Sequence, residues 1–201
     1  YIMKWFILLF FISLEAFSQE KNYDSLQVGI DPEVQGTLLS PKGENQPPLA
    51  ILIAGSGPTD RDGNQAQLKN NSLKYLAEGL AQKGIATFRY DKRVIAQINK
   101  ATVQEEKMTF EDEVNDALLV VNHFKDKYKK IILIGHYEGS LIGLLVAQKV
   151  VVSKFVSISG AGNSSATLIE EQIGKNAPQL KEESQKIISQ LRKGELVENI
   201  S

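Results

Sequence analysis

The sequence predicts a three-layer α/β fold, a mostly parallel sheet with helices on both faces. Three observations carry this. Apolar, strand-like runs at residues 49–54, 85–90, 131–135 and 154–159 alternate with helical patterns of ordinary length, and that alternation implies parallel strands joined by right-handed crossovers. The strongest runs are apolar throughout rather than at every second position, as suits strands buried on both sides. The third is a strand, tight turn and helix in direct succession over residues 131–150, with Gly135 and Gly139 bracketing the turn. So sharp a reversal brings the two backbones together, and a side chain at either glycine would collide.

Taken in order, the chain opens on Met3-Lys4, a ten-residue apolar run over 5–14 broken only by Ser13, and small residues at Ala16 and Ser18. One positive charge, a short apolar core and a small-residue cleavage site make residues 1–18 a secretory signal peptide, with Tyr1 and Ile2 outside it. The run is too short for a membrane anchor, which needs about 20 apolar residues. The mature chain is therefore expected outside the cytoplasm, periplasmic or extracellular, with no stable membrane anchor. With no cysteine in the 201 residues, packing must hold it without disulfides. A formal net charge of -1 leaves no field of either sign to attract nucleic acid or anionic membrane.

Residues 21–32 read as polar and irregular, 34–40 as a short strand, 41–48 as a turn region and 49–54 as a buried strand, with room for an antiparallel pair at the start. Asn70, Asn71 and Ser72 offer caps for a helix through Leu73, Leu76, Ala77 and Leu80 that Gly84 closes. Residues 85–90 form the next strand. Thr109 caps a further helix with Asp112 as capping-box partner and a buried stripe of Phe110, Val114, Ala117, Leu118, Val121 and Phe124. After the strand at 154–159 the texture changes to two charged amphipathic helices, 165–175 and 178–192, giving about five strands in all. No internal repeat appears.

The turn Gly135-His136-Tyr137-Glu138-Gly139-Ser140 resembles the nucleophile elbow of the α/β-hydrolase family, Gly-x-Ser-x-Gly, in the Gly-His-Ser-Glu-Gly-Ser form of a bacterial esterase branch. Its apex is Tyr137 where the family has serine. A second stretch, Gly-Ser-Gly-Pro-Thr-Asp-Arg-Asp-Gly-Asn ending at Asn64, is similar to the glycine-rich turn where the family forms its oxyanion hole. By position, the backbone N–H groups of Ser56 and Glu138 would stabilise the charge developing on an acyl oxygen. The turn lacks the lysine of a phosphate loop and the third glycine of a dinucleotide fingerprint. As a calcium loop it would need glutamate where Asn71 stands. No cofactor and no metal is expected.

Arg89-Tyr90-Asp91-Lys92-Arg93 resembles a third family segment, which usually continues with glycine where this chain has Val94. Asp91 and Arg93 read either as catalytic or as a structural pair at a strand end. The resemblance covers residues 34–160. It implies a core over 19–163, a helical cap beginning at 164–201, and a chain truncated there, with the acid and histidine of a triad on strands beyond. Without it, the last helices are a solvated tail, and both readings stand. A stop codon directly after Ser201 would defeat the expectation of a longer protein.

The family mechanism needs serine, then an acid, then a histidine in chain order. Here the histidines are His123 and His136, and both precede the apex. His136 reads as a packing residue of the elbow and His123 as a surface cation at a helix C-terminus. A phenol is about a thousandth ionised at pH 7, and its oxygen lies beyond the place a serine hydroxyl takes. The resemblance therefore implies a carboxylic ester hydrolase acting on small acyl substrates, impaired or inactive in this chain. The alternative is a non-catalytic protein that keeps the scaffold to bind a ligand or partner. The oligomeric state is not legible.

Overall fold

The computed structural model describes residues 22–197. Residues 1–18, expected to form a signal peptide, lie outside the described residues. Among those described, no helix is long and apolar enough to cross a membrane.

Six strands form one sheet: β1 (Tyr23–Gly29), β2 (Gln35–Pro41), β3 (Leu49–Ile53), β4 (Ala86–Tyr90), β5 (Ile131–His136) and β6 (Lys154–Ile158), in the spatial order β1-β2-β4-β3-β5-β6. β1 with β2 and β2 with β4 are antiparallel, and the remaining pairs are parallel. The opening pair is antiparallel, but β1 falls where the sequence suggests irregular chain. Tyr23 is its one buried residue, so this edge strand carries almost no apolar alternation and is held by its ladder to β2.

The central strands divide their side chains by parity, as pleating requires. Leu49, Ile51 and Ile53 of β3 enter one core with Phe88, Leu133 and the inner faces of α3 (Phe110–Phe124) and α4 (Glu138–Lys149). Ala50 and Leu52 enter a second core with Leu39, Ile134 and Leu73, Ala77 and Ala81 of α1 (Ser72–Gln82). Phe88 meets Phe124 with ring centroids 4.8 Å apart. Each fully buried side chain of this size contributes about 1.5–3 kcal/mol.

Helices α1 and α3 begin where their capping residues put them, with one change. Asn71, the N-cap of α1, is left-handed at φ 52° and makes no side-chain cap bond. Asn70 accepts the Ser72 N–H instead, at 2.9 Å. The Thr109–Asp112 capping box of α3 forms in full. Phe110, expected in the buried stripe, is 39% exposed, because it starts the helix and burial begins only at Val114. A further helix, α2 (Arg93–Lys100), occupies a segment the sequence leaves unassigned. Its N-cap is Lys92, with no side-chain cap bond, and none of its residues is fully buried, so both usual signals are missing. α5 (Ser165–Asn176) and α6 (Lys181–Arg192), joined by a single 3-10 turn, pack chiefly on each other.

β3 and β5 run in register, Ile53 opposite Gly135, and β5 and β6 likewise, His136 opposite Ile158. Their carboxyl ends are therefore level, and the glycine-rich turn after β3 meets the turn after β5.

Candidate active site

The bend between β5 and α4 is built as the glycines require. A Cβ on Gly135 would lie 2.2 Å from the Gly139 carbonyl oxygen, and one on Gly139 would lie 2.3 Å from the Ile53 carbonyl oxygen. Strand, helix and the end of β3 thus touch through bare backbone. Between them Tyr137 holds φ 54°, ψ −116°, a region L residues rarely adopt. The Tyr137 N–H donates to the Ile158 carbonyl at 2.9 Å, and its own carbonyl accepts from the Ser140 N–H at 3.0 Å. The Ser140 hydroxyl closes the bend from below by donating to the Gly135 carbonyl at 2.7 Å. The phenol ring projects from the carboxyl edge of the sheet, 42% exposed.

The turn after β3 lies beside this apex. A Cβ on Gly55 would stand 3.2 Å from the Tyr137 Cβ. The Ser56 carbonyl is fixed by the Thr59 hydroxyl at 3.1 Å and the Gln65 amide at 2.8 Å. The Ser56 hydroxyl donates to the Glu138 carboxylate at 3.1 Å. Among the described residues, neither the Ser56 nor the Glu138 N–H takes part in the loop and cap hydrogen bonds. All five sequence-predicted positions, Ser56, Gly135, Tyr137, Glu138 and Gly139, therefore come together. A cleft of about 280 Å³ opens beside them, bordered by Gly55, Ser56, Gln65, Leu68, His136 and Tyr137.

Charged pairs brace the loop. Asp60 accepts the N–H groups of Asp62 (2.9 Å) and Asn64 (2.8 Å). Arg61 donates to Asp91 through its backbone N–H at 2.7 Å and its Nε at 3.0 Å, and Arg89 donates to Asp62 at 2.9 Å. Asp91 is paired, but with Arg61 rather than with Arg93. Arg93 turns to the other side and binds Asp116, Glu33 (2.8 Å) and Asp31 (3.3 Å). The Asp60–Asn64 segment thus spends its carboxylates on backbone and arginine. Among the described residues, no group of three or more His, Asp or Glu could hold a metal ion.

Both histidines differ from expectation. His136 is exposed on the cleft wall rather than packed in the elbow. Position 136 ends β5, and its side chain leaves on the open side of the strand end. At His123 the expected cationic role is disfavoured: burial and Lys127 hold its pKa below the usual imidazole value, and its Nε2 lies 2.8 Å from the Lys127 ammonium. Lys125, the C-cap of α3, and Lys127 bring positive charge to that helix end.

Three charged residues beside the site, Lys92, Glu113 and Asp116, are not singled out by the sequence. Lys92 sits at the end of β4 with its side chain 7% exposed, and it meets Glu113 at 2.7 Å and Glu138 at 3.1 Å. Burial pushes the Glu113 carboxyl up, although Lys92 draws it down. Burial likewise raises Asp116 against the pull of Arg93. The available signal was a pair of acids at 113 and 116, bordering the apolar stripe of α3 opposite a basic strand end.

No family model matches the chain. It is similar to esterase EstD of Thermotoga maritima, 29% identical over 139 residues that make up 69% of this chain and 33% of that protein. It thus spans about a third of the curated relative's length. Among solved structures it resembles the Pyrococcus furiosus esterase Pf2001, with TM-score 0.53 at 18% identity, covering 88% of this chain and 64% of that one. A bacterial heroin esterase superposes with TM-score 0.51 at 16% identity over 75% of this chain and 48% of that one. The sequence relative and the structural neighbours are esterases, and the likeness to the solved structures gives this chain the α/β-hydrolase fold.

Proposed function

We propose that this chain carries the acyl-binding part of a carboxylic ester hydrolase site, with Tyr137 in the nucleophile's place. The observation that carries the proposal is the apex conformation, φ 54° and ψ −116°, directly beside the glycine turn after β3, where a Cβ on Gly55 would stand 3.2 Å from the Tyr137 Cβ. In acyl transfer a hydroxyl adds to the ester carbonyl and the carbonyl oxygen gains charge. Two N–H groups fixed beside that oxygen, here those of Ser56 and Glu138, stabilise the charge without reorganising. Attack itself is disabled. The tyrosine oxygen stands a ring's length from the Cβ, beyond the point where a serine oxygen would meet the acyl carbon, and the ring fills space the acyl group needs. Cradle and binding alone can leave roughly 10³ to 10⁴ of rate enhancement once a triad member is gone.

The test is hydrolysis of a short-chain nitrophenyl ester by the protein as its gene encodes it and by its Tyr137→Ser variant. Activity that appears or rises at least about tenfold in the serine form supports a disabled hydrolase. Equal inactivity in both forms, with the fold intact, favours the second reading, a non-catalytic protein that holds a small ligand in the cleft. That reading has its own observation: the exposed Tyr137 ring borders a cavity of about 280 Å³. Export is proposed on the pattern of residues 1–18, and a mature amino terminus at Gln19 in a secreted fraction would support it.

A further inference from the structure

Glu138 has two parts that point to different tasks. Its backbone N–H follows the apex, where the proposed function places one oxyanion donor. Its carboxylate reaches the other way, accepting from the Ser56 hydroxyl at 3.1 Å through one oxygen and from Lys92 at 3.1 Å through the other. Among the described residues, that Ser56 bond is the one side-chain hydrogen bond joining the turn at 55–57 to the elbow. A carboxylate 30% exposed on a flexible side chain does not hold one rotamer unaided. Lys92 supplies the constraint. Its ammonium, on a side chain 7% exposed, reaches Glu113 of α3 at 2.7 Å as well as Glu138. A buried lysine tied to two acids on separate helices has little freedom, since leaving either acid strands a desolvated charge.

We propose that Lys92 is a positioning residue of the site: anchored by Glu113, it fixes the Glu138 carboxylate against the Ser56 hydroxyl and so holds the Ser56 and Glu138 N–H groups in one relative arrangement. The chain runs Glu113, Lys92, Glu138, Ser56, from helix α3 through the end of β4 and the elbow to the turn after β3. Lys92 touches no substrate in this scheme. The proposal rests on the acyl-site reading above, but the restraint itself is a property of the backbone and can be measured without turnover.

The deciding experiment compares the full chain with its Lys92→Met variant by ¹⁵N relaxation, and then measures kinetics in the Tyr137→Ser background. Loss of the anchor is expected to lower the backbone order parameters of Ser56, Gly57 and Glu138 from the rigid value of about 0.85 toward 0.6, while those of Thr109 and Asp112 stay unchanged. In the serine background, kcat for a nitrophenyl ester should fall roughly 10- to 100-fold at nearly constant KM, short of the 10²- to 10³-fold loss on deleting a donor outright. Lys149→Met, which removes an exposed lysine paired with Glu111, should change neither. If Lys92→Met does not fold, Lys92→Met/Glu113→Gln removes the stranded charge and leaves Glu138 equally unanchored. Order parameters that stay at the rigid value in a folded variant overturn the proposal. If Tyr137→Ser is inactive, the acyl-site reading fails, while the order parameters still decide the restraint.

Discussion

Tyr137 stands at a backbone conformation that costs an L side chain about 1–3 kcal/mol, and its ring, 42% exposed, gains little burial in return. Tyr137→Gly is therefore expected to stabilise the fold by about 1 kcal/mol, because the released strain exceeds the roughly 0.5–1 kcal/mol glycine loses in chain entropy. A urea midpoint below that of the parent would show that the ring's packing outweighs the strain. Gly139→Ala acts in the opposite sense. Its methyl would sit 2.3 Å from the Ile53 carbonyl oxygen, and backbone on both sides cannot yield as a side chain can. Destabilisation of about 3 kcal/mol or more is expected, at or past the upper end for overpacking; a loss under 1 kcal/mol would mean that strand and helix can part. For His123, burial first and Lys127 second depress the pKa. The neutral form is thus favoured in the folded state, and its contribution to stability is present above about pH 6.5 and is lost as pH falls through the lower folded value. An NMR titration should place the midpoint below that of a free imidazole, and Lys127→Met should move it part of the way back up.

Helix α3 shows how far element-level signals reach. Its capping box was legible because Thr109 and Asp112 stand three residues apart just before an apolar stripe, and both reciprocal bonds form, at 2.8 Å and 3.3 Å. Thr109→Ala should cost about 1 kcal/mol, measurable as a lower denaturation midpoint with α4 and the sheet unchanged. Asp112 is held below the usual carboxylate range by hydrogen bonds from the Thr109 hydroxyl and N–H. Its stabilisation is therefore present above the unfolded pKa and lost as pH falls through the folded one, so the cost of Thr109→Ala should shrink in acid. β1 and α2 escaped for one physical reason. β1 is an edge strand with one buried residue, and α2 has neither a capping side chain nor a fully buried position. Periodicity records burial, and these elements bury too little to leave a pattern.

Across the whole molecule, arginines tie together segments far apart in sequence. Arg93 gathers Asp31 and Glu33 from the β1–β2 connection and Asp116 from α3. Arg93→Ala should cost about 3 kcal/mol, the lower end for breaking a buried pair, because Asp116 is 8% exposed while the guanidinium is a third exposed. Burial already raises the Asp116 carboxyl, and without Arg93 it rises further. A raised carboxyl favours the protonated folded state, so the deficit should narrow as pH falls from about 7 to 5; a gap that widens on acidification would show that another group dominates. The α/β class, the core strands and the bend were determined by the sequence alone, since strand burial, helix caps and glycine-bracketed turns are local consequences of side-chain type and spacing. The meeting of Ser56 with Glu138 was anticipated by resemblance. The pairing of Arg61 with Asp91, the turning of Arg93 to three acids, the exposure of His136 and the chain from Glu113 through Lys92 to Ser56 were decided by tertiary structure. Which of several nearby charges a lysine or arginine selects depends on the register of β4 against α3 and α4, a long-range geometry that no local window of sequence contains.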